Sequence, residues 1–163
     1  MADSIQGTDS LARPNFPHDW LDWDEYYKVH LSYMRTLERK QFVIADTLSF
    51  EHIKNEHGDL VLVHVYGLIE CSDDVILDVD KWLDSDGSAV RGADYAYHAY
   101  VVRDNSDRRP VLRYDNAHGP FHCHIFDLET GDGTETELAR DEFPTLDRVI
   151  QEAVMQVRRA RLS

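Results

Sequence analysis

The chain has 163 residues, 42% of them apolar, which suits one globular domain with an ordinary core and excludes a disordered acidic tail. No run approaches the roughly 18 uninterrupted apolar residues of a membrane span, and the first twenty residues lack the basic start and apolar run of a secretory signal, so a cytoplasmic protein is expected. The net charge of −14 combines 21 Asp and 10 Glu with only 4 Lys and 13 Arg, an Asp-rich and Lys-poor balance that points to a halophilic, archaeal chain.

Residues 1–18, polar and carrying Pro14 and Pro17, read as a disordered leader, and 19–163 as a single α+β domain. From Leu21 to Gln41, Tyr27, His30, Leu31, Met34 and Leu37 recur at helical spacing. Asp22, Asp24 and Glu25 at its start and Arg35, Arg39 and Lys40 near its end complement the helix dipole. Phe42 to Ile53 then reads as a strand and His57-Gly58-Asp59 as a turn. Leu60 to Cys71 is nearly continuous apolar sequence, predicting a central strand covered on both faces. Asp73-Asp74 turns into Val75–Trp82, and Asp84 to Gly92 reads as a loop. Ala93 to Arg103 is a tyrosine-rich strand with Tyr95 and Tyr97 on one face and His98 and Tyr100 on the other. Asn105 to Arg109 turns the chain into the strand Pro110–Asp115. After an Ala117–Pro120 loop, Phe121 to Asp127 reads as the last strand and Gly131 to Arg140 as polar loop. Thr145 caps a second helix whose buried stripe is Leu146, Val149, Ile150, Ala153, Val154 and Val157, with Arg158, Arg159 and Arg161 at its end. Short connections predict a mostly antiparallel β-meander of five to seven strands, packed by the N-terminal and C-terminal helices.

Chemistry concentrates in Arg113-Tyr114-Asp115-Asn116-Ala117-His118-Gly119-Pro120-Phe121-His122-Cys123-His124, which holds three of the nine histidines. Imidazole is the side chain whose unperturbed pKa lies near neutrality. On a strand, His122 and His124 project together, with Phe121, Cys123 and Ile125 on the other side. The Gly119-Pro120 turn can fold His118 and Asp115 toward the same face. Arg103, Arg108, Arg109 and Arg113 supply guanidiniums that suit phosphate oxygens. Two imidazoles beside arginine and tyrosine match metal-free RNA cleavage, in which one takes the 2′-hydroxyl proton and the other protonates the leaving 5′-oxygen. Zinc on His118, His122 and His124 is the competing chemical reading, and a hydrogen-bonded strand end is the structural one. Tyr97 and its neighbours can stack nucleobases or simply pack. His64 reads as a satisfied core histidine, and the Arg158–Arg161 run as a helix terminus. Cys71 and Cys123, far apart and without metal-type spacing, are expected to be free thiols.

The run from Tyr97 through Arg113-Tyr114-Asp115-Asn116 to His122-x-His124 resembles the TumE family of toxin–antitoxin proteins. Glu142-Phe143-Pro144 and the helix that follows to Arg159 resemble its closing segment. The resemblance covers about the last 70 residues, with Tyr114, Asp115, Asn116, His122 and His124 as the matching positions and Arg113 a looser one. It implies a growth-arresting toxin encoded beside a cognate antitoxin, a small helix-turn-helix protein, and acting on RNA without a cofactor. The N-terminal helix looks like an elaboration of haloarchaeal members. A non-catalytic module that binds a protein or nucleic acid through the basic strand pair is the other function class, and either is compatible with a homo-oligomer.

Overall fold

The computed structural model describes residues 19–104 and 107–163. The leader read at 1–18 and the first two residues of the Asn105–Arg109 turn lie outside the described residues, and Asp107 to Arg109 already belong to a strand. Strand β1 is only Asp19–Trp20, and helix α1 runs from Trp23 to Arg39. The Asp22 side chain accepts the Glu25 backbone N–H at 2.8 Å and fixes the start of α1. Its buried residues are Tyr26, His30, Met34 and Leu37. The expected stripe is corrected at two positions, since Tyr26 replaces Tyr27 inside and Leu31 is 51% exposed. Tyr27 instead reaches sideways, its hydroxyl 2.6 Å from a ring nitrogen of His52.

Among the described residues nine strands form one antiparallel sheet, more than the five to seven expected. The segment read as one strand from Phe42 to Ile53 is two, β2 (Val43–Asp46) and β3 (Ser49–Lys54), both paired to the same side of β4 (Leu60–Cys71). At the break, Asp46 accepts the Leu48 N–H at 3.0 Å. Gly67 of β4 lies so near that a Cβ would meet the Thr47 carbonyl oxygen at 2.6 Å, and its φ is +140°. Only glycine lets the chain cross there.

A tight turn leads from β4 to β5 (Val75–Ser85), with Asp73 and Asp74 at φ 60° and 63° as a right-twisted hairpin requires. Next come β6 (Val90–Arg103), β7 (Asp107–Asp115) and β8 (His122–Phe126), each paired to its predecessor. Gly133–Glu137, read as loop, forms the edge strand β9 on β8. Every residue of β9 is exposed, so no buried face marks it in the sequence, and its glutamates discourage further edge pairing. A 3₁₀ turn (Arg140–Glu142) leads to helix α2 (Leu146–Leu162), whose buried residues are the six expected.

Both helices cover one face of the sheet. On β5, Val75, Leu77, Val79, Lys81 and Leu83 are buried and alternate with exposed Asp78, Asp80 and Asp84. The expectation that β4 is covered on both faces fails, because Tyr66 and Leu68 on its second face are each 42% exposed. The main core joins Met34 and Leu37 of α1 to Ile69, Leu77, Tyr97, Leu112 and the α2 stripe. Arg158 and Arg161 of α2 grip the β4–β5 turn, at 2.7 Å to Asp73 and 2.9 Å to Asp74, which gives the terminal arginine run a structural role. Cys71 and Cys123 are free and buried. Among the described residues no helix is long and apolar enough to cross a membrane.

Candidate functional site

The open face of the sheet carries the histidine segment. Antiparallel register aligns Asp78, His98, Arg113, His124 and Glu135 in one row across β5 to β9, with Ala96, Asp115 and His122 in the neighbouring row. Adjacent strands are about 4.8 Å apart, so row neighbours touch through their side chains. His122 and His124 do project together, their ring centroids 5.2 Å apart and nearly perpendicular.

Asp115 is the anchor of this cluster. Its side chain is 2% exposed, Oδ2 lies 2.6 Å from Arg113 Nε, and Oδ1 lies 3.1 Å from His122 Nε2. The other nitrogen of His122, Nδ1, lies 2.9 Å from the Pro120 carbonyl. Both ring nitrogens of His122 thus lie beside protein acceptors, Nδ1 in a hydrogen bond with the Pro120 carbonyl and Nε2 in ion-pair range of Asp115. Arg113 spends Nε on Asp115 while its side chain stays 45% exposed, so its terminal nitrogens face the open sheet. His124 is freer, with Nε2 3.9 Å from the exposed Glu135 carboxylate and its ring stacked toward Phe126.

The remaining sequence-predicted residues divide between the two faces. Arg108 lies on the open side, its guanidinium 4.9 Å from the Tyr100 ring centre. Val111 is an extra residue in the β6–β7 register, and the bulge separates Arg108 from Arg113. Arg109 donates to the Glu129 carbonyl at 3.1 Å and pairs with Asp107. Arg103 lies at the end of β6, exposed, in a surface depression with Asp127 and Arg161. Asn116 is structural, accepting the Tyr95 N–H at 2.7 Å and donating to the Ala93 carbonyl at 3.0 Å. His118 is exposed in the turn and stands outside the imidazole cluster. Tyr114 and Tyr97 point under the helices. The Tyr114 hydroxyl donates to Glu152 of α2 at 2.9 Å, and burial and that carboxylate push its pKa up. Tyr97 is 1% exposed, which leaves no ring face for a base.

Two members of the site escaped the sequence reading. His98 flanks Arg113 on the side opposite His124, and partial desolvation followed by the Arg113 charge hold its pKa below the ordinary imidazole value. Glu135 joins His122 and His124 in a group whose donor atoms all lie within 4.8 Å of one another. Among the described residues these three form a group with the donor types that a zinc-like ion accepts, and His118 is not part of that group. His64, expected in the core, lies on the open face instead, 2.7 Å from Asp80 and stacked at 4.0 Å on Trp82, so its polar needs are met.

The open face therefore presents imidazoles, guanidiniums and carboxylates side by side on the sheet, with the buried Asp115 carboxylate contacting Arg113 and His122. Comparison with curated proteins and with solved structures finds no match. A family model described as Toxin TumE matches residues 33–161, far more than the last 70 residues and beginning within α1. The chain belongs to the TumE toxin family, whose members act as toxins checked by a cognate antitoxin.

Proposed function

We propose that this toxin is an endoribonuclease that cleaves RNA without a metal, using His122 and His124 on the open sheet face. The observation that carries the reading is the pair of imidazoles 5.2 Å apart beside Arg113, one of them clamped between Asp115 and the Pro120 carbonyl. His122 is the proton donor in this reading once its Nδ1 turns from the Pro120 carbonyl to the leaving 5′-oxygen, while Asp115 keeps its Nε2. His124, freer and exposed to substrate, takes the proton from the ribose 2′-hydroxyl. The 2′-oxygen then attacks the adjacent phosphorus, and the 5′-oxygen leaves with the His122 proton. Arg113 stabilises the charge on the phosphoryl oxygens through its outward nitrogens. Asp115 touches no substrate and acts by positioning His122 and Arg113. The antitoxin is then expected to be a small helix-turn-helix protein, and the acidic surface to serve a cell with concentrated internal salt.

The test is cleavage of a mixed-sequence RNA by the whole chain, by His122→Ala and by His124→Ala, each with and without chelator. Loss of about 10²–10⁴ in rate for either variant, with chelator inert, supports the acid–base reading. A second reading is favoured by Glu135, which completes a three-donor set with the two histidines. In that case chelator abolishes cleavage and zinc restores it. Toxicity that survives both histidine changes, with no RNA cleaved, assigns the face to binding alone.

A further inference from the structure

Of the four lysines, Lys28, Lys40 and Lys54 are exposed, whereas Lys81 is 5% exposed in the middle of β5. It points beneath α1 from a strand whose other inward residues are Val75, Leu77, Val79 and Leu83. Its Nζ lies 5.3 Å from the ring centre of Trp20, 4.9 Å from that of Tyr26 and 5.9 Å from that of Tyr95. In a chain with 31 acidic residues, no carboxylate among the described residues pairs with it. Ring faces compensate an ammonium only in part. Burial lowers this amine from 10.5 to about 7, so near neutrality it is charged only in part, and an anion beside it would favour the charged form.

A cavity of about 10 Å³ adjoins this amine, lined among others by Tyr26, His30, Lys81, Tyr97 and Thr145. The hydroxyls of Tyr26 and Tyr97, on residues only 2% and 1% exposed, have no hydrogen-bond partner among the described residues. Burial drives both phenol pKa values up, so the hydroxyls keep their protons and can donate. Burial and Lys81 hold His30 down at about 4, so it adds no competing cation at neutral pH. The lining thus offers three donor groups and no negative charge. The volume admits one water-sized particle, so a halide enters only with a small outward shift of the lining, and phosphate, carboxylic acids and nucleotides are excluded.

We propose that this cavity is a binding site for one monatomic anion of halide size, chloride in the cell, held by the Lys81 ammonium and the hydroxyls of Tyr26 and Tyr97. A single water can satisfy the hydroxyls, but it leaves the ammonium without a counter-charge. The anion supplies that charge and ties α1 to the centre of the sheet. The site lies on the covered face of the sheet, away from His122 and His124, and its test does not depend on RNA cleavage.

The experiment compares the melting midpoint of the full chain in potassium chloride and in potassium gluconate at equal ionic strength, with Lys81→Met alongside. Gluconate is too large for the cavity, and as a surface-excluded anion it stabilises folded proteins generally, so a non-specific effect runs the other way. The wild-type midpoint should be higher in chloride by on the order of 5 °C when the anion is in large excess over its dissociation constant. Lys81→Met should lose that difference. Should the variant not fold, excess ³⁵Cl line broadening by the wild-type chain, removed by competing bromide, replaces it as the readout. Equal wild-type midpoints in the two salts, a chloride gain that persists in Lys81→Met, or absence of broadening would overturn the proposal.

Discussion

Asp115 Oδ1 and His122 Nε2 lie 3.1 Å apart at the centre of the open sheet face, and the same carboxylate holds Arg113 through Oδ2 at 2.6 Å. One buried acid thus orients an imidazole and a guanidinium from residues seven and two positions away. Replacing Asp115 by Asn keeps the shape and removes the charge that both partners face. With His122 and Arg113 acting on RNA as proposed, the expected outcome is a fall of at least about tenfold in RNA cleavage, because both lose the carboxylate that positions them. A rate equal to wild type in the folded variant would show that Asp115 is only structural.

Tyr114 provides the control on the other face. Its hydroxyl bonds Glu152 beneath α2, so Tyr114→Phe should lower stability by about 1 kcal/mol and leave the cleavage rate of the folded protein unchanged. Denaturant titration and initial rates on the same preparation check both halves of this expectation.

Stability should rise with pH from the acid side to about pH 9. His30 is held at about 4 by burial, against 6.5 ordinarily, so between those values the unfolded chain binds a proton that the folded chain does not. Lys81, lowered by burial to about 7 from 10.5, does the same across the next window. In both windows the unfolded state carries more protons, so stability increases with pH. Above about pH 9 the rise is opposed, because burial raises Cys71 from 9.0 to about 12 and keeps Tyr26 and Tyr97 protonated where the unfolded chain loses those protons, so the curve levels and then falls beyond about 10.5. Unfolding titrations in gluconate from pH 5 to pH 10 would show the rise, and Lys81→Met should flatten its upper half. Chloride, by favouring the charged amine, should move that upper rise to higher pH.

Low salt should destabilise the chain. With 31 acids against 17 bases, surface carboxylates repel one another once the screening length grows from about 3 Å at 1 M to about 10 Å at 0.1 M. Melting of Lys81→Met in potassium chloride near 0.1 M and near 2 M separates this screening from the Lys81 site and avoids the general stabilisation by gluconate. A midpoint equal or higher at the lower concentration would remove the case for a halophilic setting.

The sequence made the parts governed by local periodicity legible. The six inward residues of α2 recur every three or four positions, and all six are buried. His122 and His124 share a face because strand geometry alternates. The phase of α1 was harder, since Tyr26 and Tyr27 are both aromatic and only contact with Trp20 and Lys81 decides which is buried. What sequence spacing could not show depends on register between strands. His98 meets Arg113, and Glu135 meets His124, through pairings of residues 15 and 11 positions apart. The division of the arginines between faces follows from one bulged residue, Val111, which no composition signal marks. Lys81 reads as a solvated strand residue until β1 and α1 close over it.

The chemistry of the RNA ends left after cleavage tests the central claim most directly. A defined RNA incubated with the toxin in excess chelator should yield 5′ fragments ending in 2′,3′-cyclic phosphate and 3′ fragments with a free 5′-hydroxyl, because the attacking oxygen belongs to the RNA and His122 protonates the leaving group. His122→Ala and His124→Ala should each reduce these products by about 10²–10⁴. Fragments bearing 5′-phosphate and 3′-hydroxyl ends, formed only when a metal is present, would contradict the account.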